Sequence, residues 1–177
     1  QPKHIGALQN LSLALKELDH QQESLETSEK LLELQESEVS CNNHGTILDE
    51  MNRAEEAREY FERAIALNPK YAPAYCNVGQ VLLGLGEPEL AIAHYKYAIT
   101  LDDQDPTFYH NLAFAYFAAN RYGEGWDVFR HRKLVKDVAG YTGKPEWEGQ
   151  PLEGKRLLVT AEQGLGDEIM FASTIPD

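Results

Sequence analysis

The feature that most constrains this chain is an internal repeat of 34 residues. Small and aromatic residues recur at that step through the middle of the sequence, and a fainter copy lies 33 residues upstream. The matching positions are Cys41, Tyr75 and Tyr109, then Ala57, Ala91 and Gly125, then Phe61, Tyr95 and Phe129, with Leu8, Ser24 and Ser28 in the upstream copy. A period of this length predicts a stack of small helical units, and four of them fit between about residue 5 and about residue 135.

Each unit has the pattern of two amphipathic helices. In the third unit, Gly84 and Gly86 end one helix and Pro88 opens the next. In the fourth unit, Asp105 is placed to cap a helix that begins at Pro106. One helix pair cannot bury its own apolar stripe, so neighbouring pairs must stack. The sequence therefore predicts an all-α solenoid, with an irregular helical bundle as the alternative.

Three small residues indicate where the paired helices come close. Ala57, Ala91 and Gly125 hold the same place in successive second helices. Two antiparallel helices can approach closely only where a side chain is minimal. We therefore expect these positions to be buried against the first helix of each pair.

The units resemble the tetratricopeptide repeat, whose pattern W-x2-L-G-x2-Y is followed by A-x3-F and then P. Three units follow it in phase: Cys41-x2-His44-Gly45-x2-Leu48 with Ala57-x3-Phe61 and Pro69, Tyr75-x2-Val78-Gly79-x2-Leu82 with Ala91-x3-Tyr95, and Tyr109-x2-Leu112-Ala113-x2-Tyr116 with Gly125-x3-Phe129. The resemblance covers about three quarters of the chain. It implies a right-handed α-solenoid of four helix pairs, over residues 5–37, 38–71, 72–105 and 106–135, whose first helices line a concave groove that binds proteins.

An asparagine occupies the same place in the first helix of every unit. These residues are Asn10, Asn43, Asn77 and Asn111. Asparagine is a poor helix former, so its recurrence indicates a use for the carboxamide, which offers both a donor and an acceptor. The row resembles the asparagine ladder of the protein O-linked N-acetylglucosamine transferases, which implies that it holds the backbone of an extended peptide. The alternative is that the asparagines bridge adjacent first helices and only strengthen the stack.

The predicted groove carries no fixed cation. His110 and Gln80 join the asparagines as predicted groove residues, and the other matching inner positions are Gln9, Asn42 and Cys76. A carboxylate ligand would therefore lack a charged partner, unlike in the repeats that clamp the C-terminal carboxylate of chaperones. Asp49 and Glu50 would repel an acidic peptide, so we expect a neutral or basic protein segment.

Charge and composition exclude several function classes. The net charge is −13, from 29 acidic and 16 basic residues, and no segment is basic, so neither nucleic acid nor a membrane is an expected partner. Two cysteines cannot form a disulfide framework, which favours a reducing, cytoplasmic location. The six histidines show no metal-ligand spacing and no phosphate-binding loop occurs, so we expect no metal and no cofactor.

The repeat pattern stops after residue 136. Residues 136–154 have the glycine and proline content of a linker, and residues 155–177 have the pattern of a strand, a glycine turn and the start of a helix. The stretch from Pro145 to Asp167 resembles the junction at which bacterial tetratricopeptide repeat proteins continue into a heptosyltransferase-like glycosyltransferase with two Rossmann domains. The resemblance implies that Asp167 is a candidate base in a longer parent protein, and the alternative is a helix cap. Because the chain stops at Asp177, we expect no catalysis by this fragment.

The sequence favours a protein-interaction module that binds an extended segment in the asparagine-lined groove. One alternative is the acceptor-recruiting arm of a glycosyltransferase, and another is a structural solenoid that assembles with itself. Self-association is expected through residues 155–160 or through the first helix. In that helix Leu8, Leu11 and Leu15 would lack an upstream neighbour.

Overall fold

The structure is a computed structural model that describes residues 2–131. Within these residues the chain forms eight α-helices in four pairs and no strand. The helices are α1 (Pro2–Glu17), α2 (Gln21–Leu34), α3 (Glu38–Glu50), α4 (Ala54–Leu67), α5 (Ala72–Gly84), α6 (Pro88–Leu101), α7 (Pro106–Ala118) and α8 (Tyr122–His131). Each helix packs against the next along the chain, and α5 also touches α3 and α7. The predicted all-α stack of helix pairs is therefore confirmed for the described residues.

The predictions for the C-terminal part of the chain concern residues that the structure does not describe. The linker over 136–154, the strand at 155–160 and the candidate base Asp167 all lie outside the described residues.

The predicted helix ends in the third and fourth pairs are confirmed. α5 ends at Gly84 and α6 begins at Pro88. α7 begins at Pro106, and Oδ1 of Asp105 accepts a hydrogen bond from the backbone N–H of Thr107 at 2.8 Å. A cap of this kind satisfies one of the N–H groups that a helix start leaves without a partner.

In each helix pair, the turn between the two helices contains one residue in the left-handed backbone conformation. The turns contain Asp19, Asn52, Gly86 and Asn120, whose φ angles are 61°, 59°, 79° and 59°. Asp, Asn and Gly tolerate this region better than other residues. At each turn, this residue and the next donate their N–H groups to carbonyls three and five residues back, which is the Schellman closure of a helix. The turn chemistry thus repeats with the same step as the core positions.

In the second and third units, a glycine on the first helix lets an aromatic ring of the second helix lie against its backbone. A Cβ added to Gly45 would lie 2.6 Å from Cε1 of Phe61, and one added to Gly79 would lie 2.9 Å from Cε1 of Tyr95. Both rings are 1% exposed. The packing therefore leaves no room for a side chain at either glycine.

The small residues predicted on the second helices are buried as expected. Ala57 and Ala91 are fully buried, and Gly125 is buried too. In the fourth unit it is Gly125, on the second helix, that lies against an aromatic ring, because an added Cβ would collide with Phe117 of α7. The two helices of this pair are therefore also close together, but here the glycine lies on the second helix and the ring on the first.

The first unit replaces this ring contact with hydroxyl groups. Oγ of Ser24 donates to the carbonyl of Ser12 at 2.8 Å, and Oγ of Ser12 donates to the carbonyl of Ser24 at 3.3 Å. Both serines are buried, so the two bonds satisfy polar groups that have no access to water. This polar contact explains why the upstream copy of the repeat is faint in the sequence.

A buried histidine joins the first unit to the second. His44 is buried in α3, and its Nδ1 lies 2.7 Å from Oγ of Ser28 in α2. Oγ of Ser28 donates its one hydrogen to the carbonyl of Leu25, so Nδ1 of His44 is the donor to that oxygen. Burial, reinforced by the nearby Arg53, lowers the pKa of His44 to about 4. The ring is therefore neutral in the folded protein at neutral pH.

Acidification is expected to destabilise the fold through His44. Between pH 6.5 and about pH 4 the unfolded chain binds a proton at this ring and the folded chain does not, so the free energy of unfolding falls as the pH falls. Between pH 7 and pH 5 this group accounts for a loss of about 2 kcal/mol. His44→Gln, which does not titrate but keeps a polar group for Ser28, should lose that much less over the same interval in urea unfolding. Equal losses in the two proteins would contradict this account.

The glycine contacts give a second expectation, with a control in the same helix. Gly79→Ala places a methyl group against the Tyr95 ring and should lower the free energy of unfolding by about 1–3 kcal/mol, even though alanine favours helix by about 1 kcal/mol. An alanine Cβ at Gly84, the last residue of α5, meets no atom within 4 Å. Gly84→Ala should therefore be neutral or stabilising. Thermal unfolding of both variants tests the contrast, and equal midpoints would show that the ring yields without cost.

Candidate functional site

The predicted groove residues lie on the surface of α1, α3, α5 and α7, which we call the first-helix face. Along the asparagine row, Asn10 is exposed, and Asn43, Asn77 and Asn111 are half-buried. One helical turn further on, a second row consists of Leu13, Thr46, Gln80 and Phe114. In that row Leu13 and Phe114 are 40% and 47% exposed, Gln80 is exposed and Thr46 is half-buried. The face therefore offers amide groups next to accessible apolar surface.

Two asparagines of the row bond the preceding first helix. Nδ2 of Asn77 donates to Oδ1 of Asn42 at 2.8 Å, and Nδ2 of Asn111 donates to Sγ of Cys76 at 3.3 Å. Asn42 and Cys76 are 7% and 4% exposed. The assignment of these two acceptors to the open inner wall is therefore wrong, because both lie between adjacent first helices. Their burial makes Asn77 and Asn111 bridges of the stack.

The bridging bonds leave part of each carboxamide available. Within residues 2–131, no protein group donates to Oδ1 of Asn77 or Asn111. The bond made by Nδ2 fixes the plane of the amide, and with it the direction of that oxygen. A fixed acceptor loses little rotational freedom when a ligand N–H binds to it.

The cysteines are not nucleophiles at neutral pH. Burial raises the pKa of the Cys76 thiol to about 11, although the hydrogen bond from Asn111 acts in the opposite direction. Burial likewise raises the pKa of Cys41 to about 11, and Glu36 adds to the effect. A reactive cysteine needs its thiolate form, so the sulfur of Cys76 serves only as the acceptor of the hydrogen bond from Asn111.

The charges on the first-helix face are few and are confined to its N-terminal part. α3, α5 and α7 contain no Lys or Arg, and α5 and α7 contain no Asp or Glu either. At the end of α3, Nζ of Lys16 lies 3.1 Å from Oε1 of Glu50, which partly neutralises one of the two carboxylates predicted to repel acidic peptides. Burial raises the pKa of Asp49, and the neighbouring Glu50 contributes to the same shift.

Phe114, which was not predicted from the sequence, is an exposed aromatic residue at the α7 end of the first-helix face. Its ring lies 4.7 Å from the ring of His110 and 6.0 Å from that of Phe117, measured between centroids. His110, which was predicted for the groove, also lies 6.0 Å from Phe129. The signal was available, because Phe114 holds the repeat position of Leu13, Thr46 and Gln80 and is the aromatic member of that row.

The described part of the chain shows two further features that bear on function. No group of three or more His, Cys, Asp or Glu side chains lies close enough there to hold a metal ion. None of the helices over residues 2–131 is long and apolar enough to cross a membrane.

Comparison with known proteins identifies the repeat. Residues 42–106 match the tetratricopeptide repeat family. The chain is thus similar to tetratricopeptide repeat proteins over those residues. Over 99% of its length it is 34% identical to Protein FlbA of Caulobacter vibrioides, and it spans 31% of that relative. Over 65 residues it is 34% identical to the protein O-mannosyl-transferase TMTC3 of Mus musculus, a match that covers 37% of this chain and 7% of the relative.

The fold of the chain is similar to those of solved structures. A crystal structure of MamA has a TM-score of 0.65 and 24% identity, covering 76% of this chain and 80% of that one. The second tetratricopeptide repeat domain of Spaghetti (RPAP3), bound to the HSP90 peptide SRMEEVD, has a TM-score of 0.54 and 21% identity, covering 56% of this chain and 92% of that one. At these identities the likeness shows the fold alone.

The asparagine bridges predict a contrast within one row. Asn77→Ala leaves the buried Oδ1 of Asn42 without its donor, which costs about 1–3 kcal/mol, and the higher helix propensity of alanine returns only about 0.5 kcal/mol of this. Asn10→Ala, at the same repeat position but exposed on α1, should be neutral or slightly stabilising. Urea unfolding of the two variants measures the difference. If both changed stability equally, Asn77 would not be a bridge.

Proposed function

We propose that this protein is an interaction module whose first-helix face binds an extended segment of another protein. The tetratricopeptide repeat fold fits such a module, and the similar domain of RPAP3 is solved with a bound peptide. The observation that carries the proposal is the exposed row formed by Gln80 and Phe114 beside the half-buried amides of Asn77 and Asn111. In this proposal the groove consists of the residues predicted from the sequence, Asn10, Asn43, Asn77, Asn111, His110 and Gln80, together with Phe114.

The amides and the aromatic ring have separate parts in the proposed binding. The oriented Oδ1 atoms of Asn77 and Asn111 accept N–H groups from the backbone of the segment, which requires no particular side chains. Phe114 and His110 form a surface for one bulky apolar side chain. Contact with a large aromatic residue is a common source of binding energy at protein interfaces.

The charges support a neutral or basic partner. The chain carries a net charge of −13, and α3, α5 and α7 have no cation that could bind a carboxylate. A segment with acidic side chains would approach Asp49 without compensation. A basic segment would be attracted by the overall field of the protein and would meet uncharged helices at the contact.

Peptide selection tests this proposal. Peptides selected by phage display on the wild-type protein should lose affinity for Phe114→Ala by about tenfold or more. The matched control is Leu90→Ala, because Leu90 is a large apolar residue of α6 that is 54% exposed but lies on a second helix. Its affinity should equal that of the wild type in fluorescence anisotropy.

Chemical changes to the selected peptide separate the two kinds of contact. Methylation of the peptide nitrogens that face the amides should weaken binding of the wild type, because the Oδ1 atoms then have no N–H to accept. Equal losses for Phe114→Ala and Leu90→Ala would contradict the groove. So would full affinity of a peptide methylated at every alternate nitrogen.

A role as the acceptor-recruiting arm of a longer glycosyltransferase is our second proposal. It is supported by the similarity of the repeats to TMTC3, whose name is that of a protein O-mannosyl-transferase, and by the FlbA relative, of which this chain spans about a third. The heptosyltransferase-like module stays part of this proposal, because its candidate base Asp167 lies outside the described residues. The bacterial origin and cytoplasmic location expected from the sequence likewise stay proposals.

A further inference from the structure

The first-helix face changes in character along the stack. Asn43, Thr46 and Asp49 follow one another at a spacing of three residues in α3, and residues three apart share one side of a helix. The repeat position of Asp49 holds Leu83 in α5 and Phe117 in α7, and neither of those helices contains Asp, Glu, Lys or Arg. The face is therefore acidic at the end of α3 and uncharged further along.

Asp49 is a half-buried carboxylate that no cation neutralises. Over residues 2–131 its side chain forms no hydrogen bond and no ion pair, since Lys16 of α1 pairs with Glu50 instead. Burial raises the pKa of Asp49, and Glu50 contributes to the same shift. The charge on Asp49 thus lowers the stability of the free protein. A cation supplied by a ligand would favour the ionised carboxylate and offset this effect.

The distance from Asp49 to the exposed ring of Phe114 can be expressed as a length of ligand chain. α3 contacts α5, and α5 contacts α7, so two helix-to-helix steps separate the two residues. Packed helices lie about 8–10 Å apart, which makes the separation about 16–20 Å. An extended segment advances about 3.3 Å per residue and covers this distance in about five or six residues.

We propose that Asp49 binds a lysine or arginine of the segment, about five residues away from the apolar side chain that lies against Phe114. This inference rests on the proposed function and adds a specificity determinant to it. The selected segment has a basic residue at one end of the contact and a bulky apolar residue at the other. Between these two points it crosses α5, where Asn77 and Gln80 offer uncharged amides to its backbone.

A double-mutant cycle between protein and peptide tests the ion pair. Peptides selected by phage display on the wild-type protein should carry a lysine or arginine at about this distance from their bulky apolar residue. Replacing that basic residue by glutamine should weaken binding to the wild type by about fivefold to tenfold. The same replacement should change binding to Asp49→Asn by less than about twofold, because the variant has no charge to pair. Asp49→Asn keeps the shape of the side chain, and circular dichroism confirms that it is folded.

Glu59→Gln is the matched control for net charge. Glu59 is an exposed acidic residue of α4, a second helix, so its replacement removes one charge without touching the first-helix face. This variant should respond to the peptide's basic residue as strongly as the wild type does in fluorescence anisotropy.

Two results would overturn the role of Asp49. One is an equal response of Asp49→Asn and the wild type, since general attraction by the net charge of −13 would then explain the preference. The other is a set of selected peptides with no basic residue at the expected distance. If either result came with a clear loss of binding in Phe114→Ala, the proposed groove would stand and only the ion pair would be rejected.

Discussion

The structure depends on one constraint: no helix pair of this chain can bury its apolar stripe without a neighbour. Every first helix from α3 onward places three residues in the core at the contact with the preceding pair, as His44 does against Ser28. The contacts inside each pair set the distance between two helices whose other faces still need cover. They differ widely, from serine hydroxyls in the first unit to glycine against tyrosine in the third.

The stacking of the helix pairs also determines which hydrogen bonds the asparagine row makes. A carboxamide has donors and an acceptor, so bridging the stack and binding a ligand are not exclusive roles. The Nδ2 groups of Asn77 and Asn111 donate to acceptors on the preceding first helix, and these bonds fix where the remaining oxygen lies. The stability of the stack and the orientation of the proposed site thus depend on the same side chains. A substitution at these positions changes both, which is why Phe114, with its exposed ring, is the cleaner probe of binding.

The repeat spacing was enough to predict the helix pairs, because one apolar stripe decides them. The turn before Pro88 and the cap at Asp105 followed from residue types that fix the local backbone. Spacing alone did not distinguish the open side of a first helix from the side that meets the next one. Asn42 and Cys76, each one residue before an asparagine of the row, were therefore assigned to the open side of their helices, but both are buried. The sequence also did not predict that the glycine of the ring contact lies on the second helix in the fourth unit. Gly125 fits the small-residue pattern whichever ring it touches.

The first and second helices of the pairs differ in charge, and this difference affects how a partner would bind. The second helices carry exposed ion pairs such as Arg58 with Glu62, which contribute little to stability because solvent screens them. α5 and α7 carry no charged residue other than the weakly basic His110. The acidic field that would attract the proposed basic segment thus comes from one part of the molecule, and the uncharged contact that would hold the segment comes from another. Electrostatic attraction of this kind raises the rate of association, while the residence time would depend on the amides and on Phe114.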